Sequence, residues 1–155
     1  MNQKTLKAIL YGGLIAGTID VFAPVVISSF KFGPTAVLKF IAGGLIGLPA
    51  ARAGGLEVAG LGLLLQWAMS LIIAAIFVCA ALRLRWMTRR WVLAGFAYGV
   101  VVYFVMTYVV QPLSMVGKGW PPQVDLYGFC ANLAAMWLFG LIIAWFAQRQ
   151  LRHAR

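Results

Sequence analysis

The chain has 155 residues, of which 63% are hydrophobic and only 10% charged, and its formal net charge is +10. A soluble domain is nearer half apolar and a quarter charged, so a water-surrounded fold of this length is excluded and lipid must take the place of water. The positive charge is not a nucleic-acid footprint, because Lys and Arg stand between long apolar runs and no basic stretch is joined to a soluble module.

A helix needs about 20 apolar residues to cross the hydrocarbon core. Four stretches reach that length, which predicts an all-α fold: an integral membrane bundle of four transmembrane helices forming a single domain over residues 1–155. The first stretch covers residues 6–30. Its start, "MNQKTLKAILYGGLIAG", is shaped like a signal peptide. The apolar run continues well beyond Gly17 with no small-x-small cleavage site, so it reads as an uncleaved span. Within it lies "AGTIDVFAP". Counted from Lys7, Asp20 lies about 20 Å along the helix, near mid-membrane, where an ionised carboxylate costs several kcal/mol or neutralises. Pro24 removes an amide donor and displaces the carbonyl of residue 20. Together they make a polar, bent point, tolerated only where protein or water satisfies it. Gly13, Gly17, Asp20 and Pro24 fall on one stripe of this helix.

Residues 36–48 follow, within "KFGPTAVLKFIAGGLIGLPAARAGG". This apolar run is too short to cross and reads as an interfacial or a re-entrant helix. The second span, 58–82, carries Gln66 and Ser70 four residues apart. The third, 91–113, carries Tyr103 and Thr107 at the same spacing, and the fourth, 126–147, carries Asn132. These residues fall near the depth of Asp20. We expect Asp20, Gln66, Ser70, Tyr103, Thr107 and Asn132 to form one intramembrane polar cluster. It would act either as interhelical hydrogen-bond glue, worth about 0.6 kcal/mol per bond, or as a binding site for a proton, an ion or a small ligand. An intramembrane acid such as Asp20 is functional by default. Glu57 and Asp125 begin spans, where a carboxylate suits the positive end of a helix. Gly13-x-x-x-Gly17 and Gly95-x-x-x-Gly99 are close-packing motifs. Because the first and third spans run in the same direction, they are expected to pack as a parallel pair through them.

Lys4, Lys7, Arg83, Arg85, Arg89, Arg90, Arg149, Arg152 and Arg155 fall on one side of the membrane, against Lys31, Lys39, Arg52 and Lys118 on the other. The positive-inside rule then predicts that both termini are cytoplasmic. Trp86, Trp91 and Trp145 mark the inner interface and Trp120 the outer one. The loop "RLRWMTRRW" should also attract anionic lipids at the cytoplasmic face. Cys79 and Cys130 differ in depth by roughly 25 Å, beyond disulfide reach.

The only histidine is His153, in the basic tail, so a zinc or haem site within the membrane lacks its usual ligand. No phosphate loop and no CxxC pair is present, and "GLGLLL" opens no βαβ unit. No serine has a histidine to activate it. We therefore expect no catalytic residue, metal or cofactor, and not an enzyme. The best-supported reading is a protein that binds or moves a small ligand, ion or proton around Asp20. The alternative is a non-catalytic accessory or scaffold subunit of a larger membrane complex. A small enzyme acting on lipid or quinone, with Asp20 and Tyr103 as acid and base, is weakest. The expected partners are the lipid bilayer and either further copies of the chain or another membrane protein, and no nucleic acid.

The segments "ILYGGLIAGTID" (9–20), "LKFIAGGLIG" (38–47), "LGLLLQWAMSLIIAAIF" (61–77), "VLAGFAYGVVVYFVMTYVVQPLS" (92–114) and "FGLIIAW" (139–145) together resemble a family of small, uncharacterised four-span inner-membrane proteins of proteobacteria. The resemblance covers most of the chain and implies the fold and a bacterial inner-membrane location, but no established activity. That pattern has a histidine where Gln66 stands and another around Ala135. This chain has neither, so metal or haem binding through those positions is not implied for it.

Overall fold

The computed structural model describes residues 3–33, 35–116 and 126–152. Among these residues every regular element is a helix: α1 (Gln3–Phe32), α2 (Ala36–Ile46), α3 (Leu48–Ala53), α4 (Leu56–Arg83), α5 (Arg85–Arg89), α6 (Trp91–Val105), a π-helical turn (Met106–Val110), α7 (Gln111–Leu113) and α8 (Leu126–Arg152). Four candidate spans are long and apolar enough to cross a membrane, with mean hydropathy from 1.8 to 2.3. They fall on the four predicted apolar stretches, the third being the continuous run Trp91–Leu113. The chain is a multi-pass membrane protein by the length and composition of these helices. Its outward side chains agree. Phe22, Leu64 and Ile76 are 65%, 62% and 57% exposed, a surface that needs an apolar solvent.

The helix α1 continues through Pro24 without interruption. Position 24 has no amide hydrogen, so the Asp20 carbonyl receives no helical bond from it. Between α4 and α6 the chain turns through α5 with its amides occupied. Leu84 N–H donates to Ala80 O at 2.8 Å, Arg90 N–H to Trp86 O at 2.9 Å and Ala94 N–H to Arg90 O at 3.0 Å. This turn, the start of α1 and the end of α8 bring most of the basic residues to one face, here the basic face.

The bundle is closed near the basic face and open toward the opposite one. The closed half holds the core: Ala8 and Ala16 of α1, Phe77 and Val78 of α4, and Ile143 and Ala144 of α8, with Tyr98 of α6 packed against them. The Tyr98 ring meets Phe77 edge-on at 4.9 Å, and its hydroxyl donates to the Ile73 carbonyl oxygen at 2.7 Å, tying α6 to α4. Small residues dominate here because alanine lets helix axes approach closely.

Each of the four motif glycines lies at a helix contact, but the expected pairing of the first and third spans does not occur. Gly13 and Gly17 face α4, where β-carbons on them would press on Leu71 and Ser70. Gly95 and Gly99 face α8. A β-carbon on Gly99 would lie 2.5 Å from the Met136 carbonyl oxygen, and one on Gly140 would strike the carbonyl oxygen of Gly95. The helix α8 packs against both α1 and α6. The reason is that α8 carries its own small-residue face, Gly140 and Ala144, which complements Gly95 and Gly99. A GxxxG motif specifies a close approach without specifying the partner.

In the open half, α2 covers the gap between α4 and α6, and α3 packs against α2. Residues 35–55 lie between the end of α1 and the start of α4, away from the basic face. At 11 residues, or about 16 Å, α2 does not cross. Its backbone passes over α4 at Gly62, where a β-carbon would strike the Leu38 carbonyl. Gly62 lies about 9 Å along α4 from Leu56. The far end of α2 is held by Met115 N–H, which donates to Gly44 O at 3.0 Å. Gly47, at φ +85°, supplies the left-handed turn into α3 that a side chain would resist.

Candidate functional site

On the seam between α1 and α4, Gln66 Nε2 donates to Asp20 Oδ2 at 3.0 Å. One position further along α4, Trp67 Nε1 donates to Thr18 Oγ1 at 3.1 Å, and Thr18 Oγ1 donates to the Leu14 carbonyl at 2.7 Å. Antiparallel helices with glycine at the crossing come close enough for short polar side chains to meet. Ser70 is 1% exposed. Its hydroxyl donates to the Gln66 carbonyl at 2.8 Å, and its side chain fills the space left at Gly17. Ser70 therefore fastens the seam.

Gln66 also faces the other way. With Tyr103, Thr107 and Asn132 it lines a cavity of about 430 Å³ between α4, α6, α8 and α2. The structure thus brings four of the six expected cluster residues to one cavity. Asp20 is held behind Gln66, and Ser70 stays within the helix contact. Sequence spacing did not reveal the rest of the wall. Met69, Met106 and Met136 enter it from three helices, and Phe40, Ile41 and Leu45 from α2. Gln111 and Ser114 also line it. Their signal was legible, because they continue the Tyr103–Thr107 face at spacings of four and three.

Tyr103 is 4% exposed. Its ring is clamped edge-on by Phe104 at 5.6 Å and by Phe129 at 5.4 Å. Among the described residues its hydroxyl has no hydrogen-bond partner, and every fully enclosed side-chain nitrogen or oxygen there has one. The hydroxyl is therefore not fully enclosed, and Tyr103 lines the cavity.

The π-turn shapes the same wall. Gln111 N–H donates to Met106 O, five residues back. Pro112 gives the reason, because its ring clashes with the carbonyl four residues earlier in a regular helix and the wider turn moves that carbonyl aside. Met106, Thr107 and Val110, all in the widened turn, line the cavity.

No charged side chain lines the cavity among the described residues. Lys39 and Arg52 lie instead on a separate hollow of about 720 Å³ between α2 and α3. Glu57 accepts Gly55 N–H at 2.8 Å, the role expected of a residue that starts a span. Cys79 and Cys130 are free and exposed, and Arg149 lies 5.2 Å from the Trp145 ring centroid, a cation–π contact at the basic face. Trp120, Asp125 and His153 lie outside the described residues. Compared with family models, curated proteins and solved structures, the chain matches none.

Proposed function

We propose that this is a bacterial inner-membrane protein with both termini in the cytoplasm, and that it binds a small ligand in the cavity between α2, α4, α6 and α8. The observation that carries this reading is Tyr103: a ring-clamped, buried phenol on the wall of the cavity whose hydroxyl has no hydrogen-bond partner among the described residues. Surrounded by lipid, an unpaired polar group costs several kcal/mol, and a ligand or water must complete it. Asp20 supports a coupling role. The Gln66 amide gives one N–H to Asp20 and retains an oxygen and a second N–H. A proton or ion taken up at Asp20 would therefore be felt in the cavity through a single amide. The excess of Lys and Arg on the basic face supports the orientation, and the location is the one implied by the resemblance of the sequence to four-span proteobacterial proteins.

Orientation is checked by fusions after Arg155. A fluorescent protein fused there should fluoresce and an alkaline phosphatase should be inactive, whereas the reverse pattern would invert the topology. Ligand binding is checked by native mass spectrometry of protein extracted gently from its own membrane. A small-molecule adduct is expected on the wild type and should be lost in Met69→Trp, which fills the cavity. A stoichiometric complex with another membrane protein and no small molecule would instead establish the accessory-subunit reading.

A further inference from the structure

Resting on that binding reading, we propose that the cavity takes an uncharged, lipid-soluble molecule whose head is a flat ring bearing carbonyl oxygens, a quinone-type head group. Three observations select this chemistry. The first is charge. With no charged side chain on the wall among the described residues, an ion or charged solute would lose its hydration with no counter-charge there to replace it, and Asp20 is turned to Gln66.

The second is the hydrogen-bonding inventory. Tyr103, Thr107 and Gln111 present two hydroxyls and an amide along one face of the third span, with the Asn132 amide on α8. None of these four side chains has a hydrogen-bond partner among the described residues. All can donate as well as accept, so together they can serve the carbonyl oxygens of a ligand without a charge on either side. The row from Tyr103 to Gln111 is about 12 Å long, which suits acceptors on opposite edges of a ring more than a single polar atom.

The third is the apolar wall. Met69, Met106 and Met136 come from α4, the π-turn and α8. Thioethers adapt their shape and make favourable contacts with ring edges. The volume of about 430 Å³ lies within the usual range for small-molecule sites.

The test uses the full chain in lipid nanodiscs, titrated by equilibrium dialysis with decylubiquinone and, separately, with a dioctanoylglycerol, which offers ester carbonyls without a ring. Decylubiquinone should bind saturably at one site per chain. Tyr103→Phe should weaken it about tenfold, the effect of losing one hydrogen bond. Thr107→Val should weaken it comparably and serves as the second variant should Tyr103→Phe fail to fold. The diacylglycerol should not compete. Competition by the diacylglycerol would replace the ring-bearing head with a lipid ester. Absence of quinone binding, with a native adduct still lost in Met69→Trp, would overturn the ligand class and leave the binding reading standing. Absence of both would overturn the two together.

Discussion

Replacing Gly140 by leucine should separate the third and fourth spans and lower the stability of the fold by about 3 kcal/mol or more, at or beyond the upper end of ordinary overpacking. The crossing of α6 and α8 leaves no room for a side chain. A β-carbon on Gly140 would meet the Gly95 carbonyl oxygen and lie 2.9 Å from Gly99 N and 3.2 Å from Gly99 Cα. These are backbone atoms, and they move only if the helices part. Gly60 is the control. It is on α4, nothing lies within 4 Å of the β-carbon it would gain, and Gly60→Leu should change stability by less than about 0.5 kcal/mol. Thermal unfolding in detergent followed by circular dichroism decides the matter. Equal midpoints for Gly140→Leu and the wild type would show that α6 and α8 do not cross at these glycines. Because Gly95 and Gly99 face α8 within the chain, their replacement should likewise act on folding and not on docking to another protein.

Asp20 separates a structural from a functional role. Asp20→Asn retains an oxygen that accepts from Gln66 Nε2 and should leave the unfolding midpoint within about 0.5 kcal/mol of the wild type, while abolishing any response of the cavity to protons or cations. Asp20→Leu should destabilise by about 1–3 kcal/mol, because it strands the Gln66 amide. The double variant Asp20→Leu/Gln66→Leu should recover most of that loss, since replacing both partners by apolar groups is nearly neutral. If Asp20→Asn binds and titrates as the wild type does, the carboxylate is interhelical glue and the coupling role falls.

The four spans, the short apolar segment before the second of them and the helix-start role of Glu57 were all legible in the chain, because in lipid a helix is dictated by a local property, its unbroken run of apolar residues. The glycine motifs were legible as sites of close approach. So were the polar residues of the α1–α4 seam and the cavity wall, since a glutamine, a tyrosine or an acid stands out against an apolar background. What tertiary structure alone decided was which surfaces meet. Gly95 and Gly99 chose α8 because Gly140 and Ala144 complement them, and no spacing within the third span records that. Ser70 became a wedge at Gly17, while Gln66, one turn away, became a wall of the cavity. The π-turn before Pro112 and the covering by α2 set where the methionines and Phe40 converge. Helix formation is local in the chain. Apposition depends on shape complementarity between residues far apart in it, and that is where this cavity arises.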